Sequence, residues 1–234
     1  MSLQFEQGEV LLINKPYQWT SFDVVAKLRS LICSHLKIKK IKTGHAGTLD
    51  PLATGLLIVC TGKFTKRIDE FQGLDKEYTG TFRIGATTPS FDLEKEIDKE
   101  LPFEHVTMEH IHEAVAQLSG TYDQVPPAFS AKKIAGRRAY KYARLEQEVE
   151  IKPRNITISG FEITEVSLPY LCFRISCSKG TYIRSVARDL GVILGTGAHL
   201  TALCRTRIGQ YHLRDAWEME NISHQLFGEN LIKE

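Results

Sequence analysis

Asp50 stands apart among the 28 acidic residues of this chain. It is the one acid in GHAGTLDPLATG, residues 44–55, a loop otherwise made of small, flexible or rigid residues. A residue before proline is pushed out of the α region toward extended geometry. Pro51 also fixes its own φ and offers no N–H. Gly44, Gly47 and Gly55 permit tight turns or the close approach of another molecule. The loop can therefore hold a carboxylate in one pose while a ligand comes near it. A carboxylate held that way can attack as a nucleophile or accept a proton. The plain alternative is an Asx-type turn, which Asp before Pro commonly makes.

Other chemistries fit the loop poorly. A phosphate cradle of the GxxxxGK[ST] kind fails, because Phe64 follows Gly62-Lys63 and Leu57 stands where the first glycine belongs. An aspartyl-phosphate nucleophile would follow an apolar strand directly, whereas Gly-His-Ala-Gly-Thr-Leu precedes Asp50. His45 is near in sequence, but neither an HxxxH nor a paired-acid spacing accompanies it, so no metal site and no cofactor are expected. The five cysteines include no CxxC pair and read as reduced core or strand residues.

The elements that must carry this loop follow from periodicity. EVLLIN (9–14) and LLIVCT (56–61) read as buried strands on either side of a helix. That helix opens at Thr20-Ser21-Phe22-Asp23, a capping-box pattern, and sets Val24, Leu28, Leu31 and Ile32 on one face. KEYTGTFRIG (76–85) alternates, with Tyr78, Phe82 and Ile84 on one side. Residues 108–118 form an amphipathic helix, and 155–177 give further alternating strands. Ile183, Val186, Ala187 and Leu190 mark another helix, with a stop expected near Gly191, and ALCRTRIG (202–209) reads as a last strand. Adjacent strand pairs favour an α+β fold with a central, mostly antiparallel sheet flanked by helices.

Composition is that of a water-soluble globule, with 42% hydrophobic and 25% charged residues and a net charge of +2. No apolar run is long enough for a membrane span. The N-terminus MSLQFEQGEV lacks the charged-then-apolar order of a signal peptide, so a cytoplasmic protein is expected. Charge is nonetheless segregated. KIKKIK (37–42) holds four lysines, and AKKIAGRRAYKYAR (131–144) holds six Lys/Arg and no acid, while acids gather in FDLEKEIDKE (91–100). A nearly neutral protein can present a basic face to a polyanion in this way, and two solvated surface segments would look the same.

With these segments in place, the chain resembles the bacterial tRNA pseudouridine synthase B (TruB) family. GHAGTLDPLATGLL resembles the central motif of that family. INKPYQWTSFDVV (13–25), KEYTGTFRIG, QVPPAFSAKKIAGRRAYKYAR, CSKGTYIRSVARDLG (177–191) and GAHLTALCRTRIG (197–209) are similar to its other motifs, in family order. The resemblance implies a pseudouridine-synthase fold and isomerisation of uridine to pseudouridine in the T-loop of tRNA, at uridine-55. It implies a catalytic domain over 1–215, an RNA-gripping insertion at 124–152, and a short tail at 216–234 without the PUA-type module common in bacterial members. Asp50 is then the catalytic residue. His45 contacts the RNA near the flipped nucleotide, Tyr78 stacks on the target base and Leu203 lines the pocket. Tyr182 and Arg184 flank the aspartate, with Arg184 as its ion-pair partner. Read without the family, Arg184 is a helix residue that would pair with a nearby acid such as Asp189. Lys132, Lys133, Arg137, Arg138, Lys141 and Arg144 would meet RNA phosphates. The enzyme is expected to act as a monomer on the tRNA T-arm without guide RNA or partner protein. The sequence departs from the family pattern at Gln18, where Gly is usual, at Phe129, where Tyr is usual, and at Cys204, where a second Arg is usual.

Overall fold

A computed structural model describes residues 3–127 and 151–228, together with the backbone of two short strands at 133–134 and 137–138. In chain order the elements begin with β1 (Val10–Lys15), α1 (Ser21–Leu36), β2 (Thr43–His45), β3 (Thr54–Thr61), α2 (Ile68–Gly73) and β4 (Lys76–Ile84). Next come β5 (Ala86–Thr87), β6 (Lys99–Glu100), α3 (Met108–Gln117), β7 (Gly120–Gln124), β8 (Lys133–Ile134) and β9 (Arg137–Arg138). The chain closes with β10 (Arg154–Ser167), β11 (Tyr170–Cys177), α4 (Ile183–Ile193), β12 (Ala198–Ile208), β13 (Tyr211–His212), β14 (Trp217–Glu218) and α5 (Ile222–Phe227). The chain forms two compact units, Met1–Tyr78 with Cys204–Glu234, and Thr79–Leu203. Among the described residues no helix is long and apolar enough to cross a membrane.

In the first unit the strand order is β14-β1-β3-β12, with β2 also on β3 and β13 on β12. β1 runs antiparallel to β3 over Val10↔Cys60 to Lys15↔Gly55, and β3 runs parallel to β12 at Thr54↔Cys204 and Gly55↔Arg205. The continuous apolar run of β3 is explained by burial on both faces. Leu57 and Val59 pack with α1 through Val24, Val25, Leu28 and Ile32. Leu56, Ile58 and Cys60 pack with Phe71 and Ile208. Residues past 215 belong to this core, because Met219, Ile222 and Leu226 are buried against the α1 side.

Thr20 caps α1 as its pattern predicts. Its Oγ1 accepts from the Asp23 backbone N–H at 3.1 Å, and the Asp23 carboxylate accepts from the Thr20 N–H at 2.8 Å. Gln18, just before it, sits at φ 66°. This is a left-handed conformation that glycine adopts at less cost than glutamine. Its side chain is exposed and contributes little packing. Gln18→Gly is therefore expected to raise stability by about 1 kcal/mol, the relief of left-handed strain less the added unfolded-state entropy. Urea unfolding checks this, and a loss of stability would show that the glutamine side chain matters.

In the second unit β4, β11, β10 and β7 lie in that order, with β10 antiparallel to both neighbours. Phe82 and Phe173 stack at 4.0 Å inside it. Tyr78, Phe82 and Ile84 are all buried, as the alternation in β4 predicts. Two boundaries are sharpened. The helix ends near Gly191 as expected, two residues on at Ile193. Gly191 is needed for packing, since a Cβ there would lie 2.2 Å from the Ala198 backbone nitrogen. The last long strand begins at Ala198, four residues before the start read from ALCRTRIG.

Candidate active site

The loop 46–53 joins β2 to β3, and Asp50 lies on it half-buried. Polar groups hold the backbone on both sides of Asp50. Ser21, buried at the start of α1, hydrogen-bonds Leu49 twice: its Oγ accepts from the Leu49 N–H at 2.9 Å and donates to the Leu49 carbonyl at 3.2 Å. On the other side the Pro51 carbonyl accepts from the Gln18 N–H at 2.8 Å and from Lys15 Nζ at 3.3 Å. The Asp50 carbonyl accepts from the Ala53 N–H at 3.1 Å, which closes a turn. The segment 15–21 thus grips the residues before and after Asp50.

Two buried cations complete the mount. Arg205 is 1% exposed, and it donates from Nε to the Leu56 carbonyl at 2.7 Å and from Nη2 to the Gly47 carbonyl at 3.1 Å. One guanidinium therefore pins both ends of the segment that bears Asp50, a geometry suited to its fixed fork of donors. Gly55 makes this possible: at φ +104°, a Cβ there would stand 2.4 Å from the Arg205 carbonyl. Lys15 is fully buried and also donates to the Pro16 and Trp19 carbonyls at 2.8 and 2.6 Å. Burial pushes its ammonium down to about 8, the Asp50 carboxylate opposes that shift, and Arg205 adds to it. Burial, then the Arg205 charge, also lower the His45 imidazole. His45 Nδ1 is buried with no hydrogen-bond partner among the described residues.

The Lys15 shift makes a pH prediction. Lys15 is charged in both states well below pH 8 and neutral in both well above 10.5; between these values the unfolded chain binds more protons. Stability therefore rises with pH through that window and loses this contribution as pH falls through the folded value. Thermal unfolding of wild type and Lys15→Met should show their difference shifting in favour of wild type from about pH 8 to 10.5. A flat difference would contradict a buried, shifted Lys15.

The second unit carries the other expected residues. Tyr182 is half-buried at the N-cap of α4, and Leu203 is half-buried in the middle of β12. Arg184 is 4% exposed, with its Nε 3.5 Å from Asp92 Oδ2 and its Nη1 donating to the Ser90 carbonyl at 3.3 Å. The reading that pairs Arg184 with Asp189 is corrected, because Asp189 pairs with Arg188 at 2.6 Å. Tyr78, in the first unit, is 8% exposed. Lys133, Arg137 and Arg138 fall on the hairpin β8–β9, paired Lys133↔Arg138 and Ile134↔Arg137. Lys132, Lys141, Arg144 and Phe129 lie outside the described residues.

Sequence reasoning missed Lys15, Ser21, Arg205 and Asp92 as members of these arrangements. The one local clue was a charged residue at the end or in the middle of an apolar strand, Lys15 in VLLINK and Arg205 in AHLTALCRTRI.

An acid whose neighbours are clamped on both sides, near buried cations, is suited to nucleophilic attack or proton transfer by its carboxylate. The same fold occurs in a solved Cbf5-Nop10-Gar1 complex, with TM-score 0.67 and 25% identity over 94% of this chain and 54% of that chain. It also occurs in an H/ACA RNP bound to a substrate RNA containing 2'-deoxyuridine, with TM-score 0.66 and 24% identity over 94% and 53%. The chain spans about half the length of those solved chains. The chain belongs to the TruB family of pseudouridylate synthases: residues 34–183 match the TruB family pseudouridylate synthase (N terminal domain), and residues 184–234 the tRNA pseudouridylate synthase B C-terminal domain. Among its relatives are proteins named tRNA pseudouridine synthase B. That of Phocaeicola vulgatus is 54% identical over 96% of this chain and 95% of that protein. That of Flavobacterium johnsoniae is 55% identical over 97% and 98%.

Proposed function

We propose that the chain isomerises uridine to pseudouridine in the T-loop of tRNA, at uridine-55, with Asp50 as the catalytic carboxylate. The observation that carries the reading is the double clamp on Leu49 and Pro51, which fixes the one acid of the family's central motif. The relatives' shared name supports the substrate.

The reaction breaks C1′–N1 and joins C1′ to C5; N1 ends with a proton and C5 loses one, so no redox partner or energy source is needed. Asp50 serves either by attacking C1′ or C6 or by taking the C2′ proton. Both routes need an ionised carboxylate away from bulk water, and cations stabilise that form. Arg184 is the proposed counter-ion of Asp50. Asp92 and the Ser90 carbonyl, which meet its guanidinium, support a fixed pose for it. Tyr182 lies near the C5 proton that must leave, Leu203 lines the pocket and His45, neutral near pH 7, contacts RNA beside the flipped nucleotide. Lys132, Lys133, Arg137, Arg138, Lys141 and Arg144 meet phosphates and set affinity more than site choice. The enzyme works as a cytoplasmic monomer without guide RNA or partner protein.

The base must leave its stack to reach Asp50, and Tyr78 supplies an aromatic face that recovers part of that cost. Tyr78→Leu is expected to lower the single-turnover rate on unmodified tRNA on the order of 10- to 100-fold, the worth of one stacked base. Initial RNA binding should change much less. Equal loss of rate and binding would remove Tyr78 from this role.

A further inference from the structure

Gln124 is the last residue of β7, is 1% exposed, and plays no part in the chemistry above. Its carboxamide bonds both backbone polar groups of one residue, Tyr182. Oε1 accepts from the Tyr182 N–H at 2.8 Å, and Nε2 donates to the Tyr182 carbonyl at 3.2 Å. Tyr182 is the N-cap of α4 but makes no side-chain cap bond, so Gln124 supplies backbone restraint there. The next residue adds to the latch: the Val125 carbonyl accepts from Ser185 Oγ at 2.9 Å and from Arg188 Nη1 at 3.2 Å. Arg188 is itself fixed by Asp189 and lies 5.3 Å over the Phe91 ring.

The position of this latch gives it meaning. Gln124 pairs in register with Arg154, the first residue of β10. Those two residues are the root from which the basic segment leaves the sheet and to which it returns. The root is thus bonded directly to the backbone of Tyr182, two residues before Arg184. The carboxamide thus brackets the backbone of one residue, and its Nε2 also lies 3.5 Å from the Tyr122 hydroxyl.

We infer that Gln124 is a positioning residue for Tyr182, and that the Gln124–Val125 latch ties the root of the RNA-gripping segment to the first turn of α4. This rests on the reading that Tyr182 belongs to the active site. Loosening the latch therefore costs turnover at saturating RNA rather than affinity.

The test measures single-turnover rate at saturating unmodified tRNA, and Kd, for wild type, Gln124→Met, Gln124→Glu and Tyr182→Phe. Gln124→Met keeps length and loses both hydrogen bonds. It should slow turnover on the order of 100-fold, the effect of a small misplacement of a reacting group, with little change in Kd. Gln124→Glu keeps the acceptor for the Tyr182 N–H and loses the donor to its carbonyl. Burial raises the pKa of the new carboxyl, and its protonated form again offers one donor and one acceptor. Its rate relative to wild type should therefore recover as pH falls, which a purely structural role would not require. This pH comparison within one protein holds even if the Met variant does not fold. A normal saturated rate in Gln124→Met, a loss confined to Kd, or no recovery of Gln124→Glu at low pH overturns the inference. A Tyr182→Phe variant with wild-type turnover would place the failure in the assignment of Tyr182; impaired Tyr182→Phe beside normal Gln124→Met would place it in the latch alone.

Discussion

Asp50→Asn forms pseudouridine on the order of 10⁴-fold more slowly than wild type, the upper range for removing a group that transfers a proton in the transition state, while still binding unmodified tRNA. Asparagine keeps the shape of the side chain, so the clamps from Ser21, Gln18 and Lys15 to residues 49 and 51 remain. What is lost is the negative charge and the ability to attack or accept a proton. The same substitution has a second signature. The Asp50 carboxylate holds the Lys15 ammonium up against burial, so the Lys15 pKa should fall below its wild-type value of about 8 in Asp50→Asn. NMR titration of Lys15 Nζ follows this directly. Retained turnover, with the Asn confirmed intact, would remove Asp50 from the chemistry. An unchanged Lys15 would show that the two charges do not meet.

Arg205→Met should lower both stability and turnover, for a different reason. The methionine fills part of the volume and removes the donors to the Leu56 and Gly47 carbonyls. Each bond to a charged donor is worth about 2 kcal/mol, so stability falls by several kcal/mol in the first unit. Turnover falls on the order of 100-fold because the segment between those carbonyls carries Asp50, and small displacements of a reacting group have large effects. The electrostatic signature is specific. Arg205 lowers both His45 and Lys15, so both should titrate at higher pH in the variant. A stability loss with unshifted His45 and Lys15 would reduce Arg205 to a packing role.

The loop that bears Asp50 was legible in the sequence because its restraint is local. Pro51 and the glycines act on their own neighbours, and the Thr20–Asp23 cap closes within one turn. The strands of the first core were legible for the same reason, since LLIVC reads apolar on both faces and is buried on both. The clamps around the loop were not legible, because they close across long separations. Arg205 and Leu56 are 149 residues apart, and Lys15 and Pro51 are 36 apart. Asp92 was hidden by its company: it begins an acidic run that composition reads as solvated, yet it is 5% exposed and meets Arg184. Gly191 marked the end of α4 to within two residues, and the close pass of Ala198 gives the reason for a glycine inside the last turn. Gln18 became intelligible only with its φ in hand, as a residue in a glycine's conformation.

The central claim is that this chain, by itself, converts a T-loop uridine through Asp50. The direct measurement incubates the purified protein with unmodified tRNA, without guide RNA or other protein, and maps pseudouridine at nucleotide resolution. Modification is expected at uridine-55 of the T-loop, and none in a parallel reaction with Asp50→Asn. No pseudouridine, pseudouridine only after a guide RNA or partner is added, or equal modification by Asp50→Asn would contradict it.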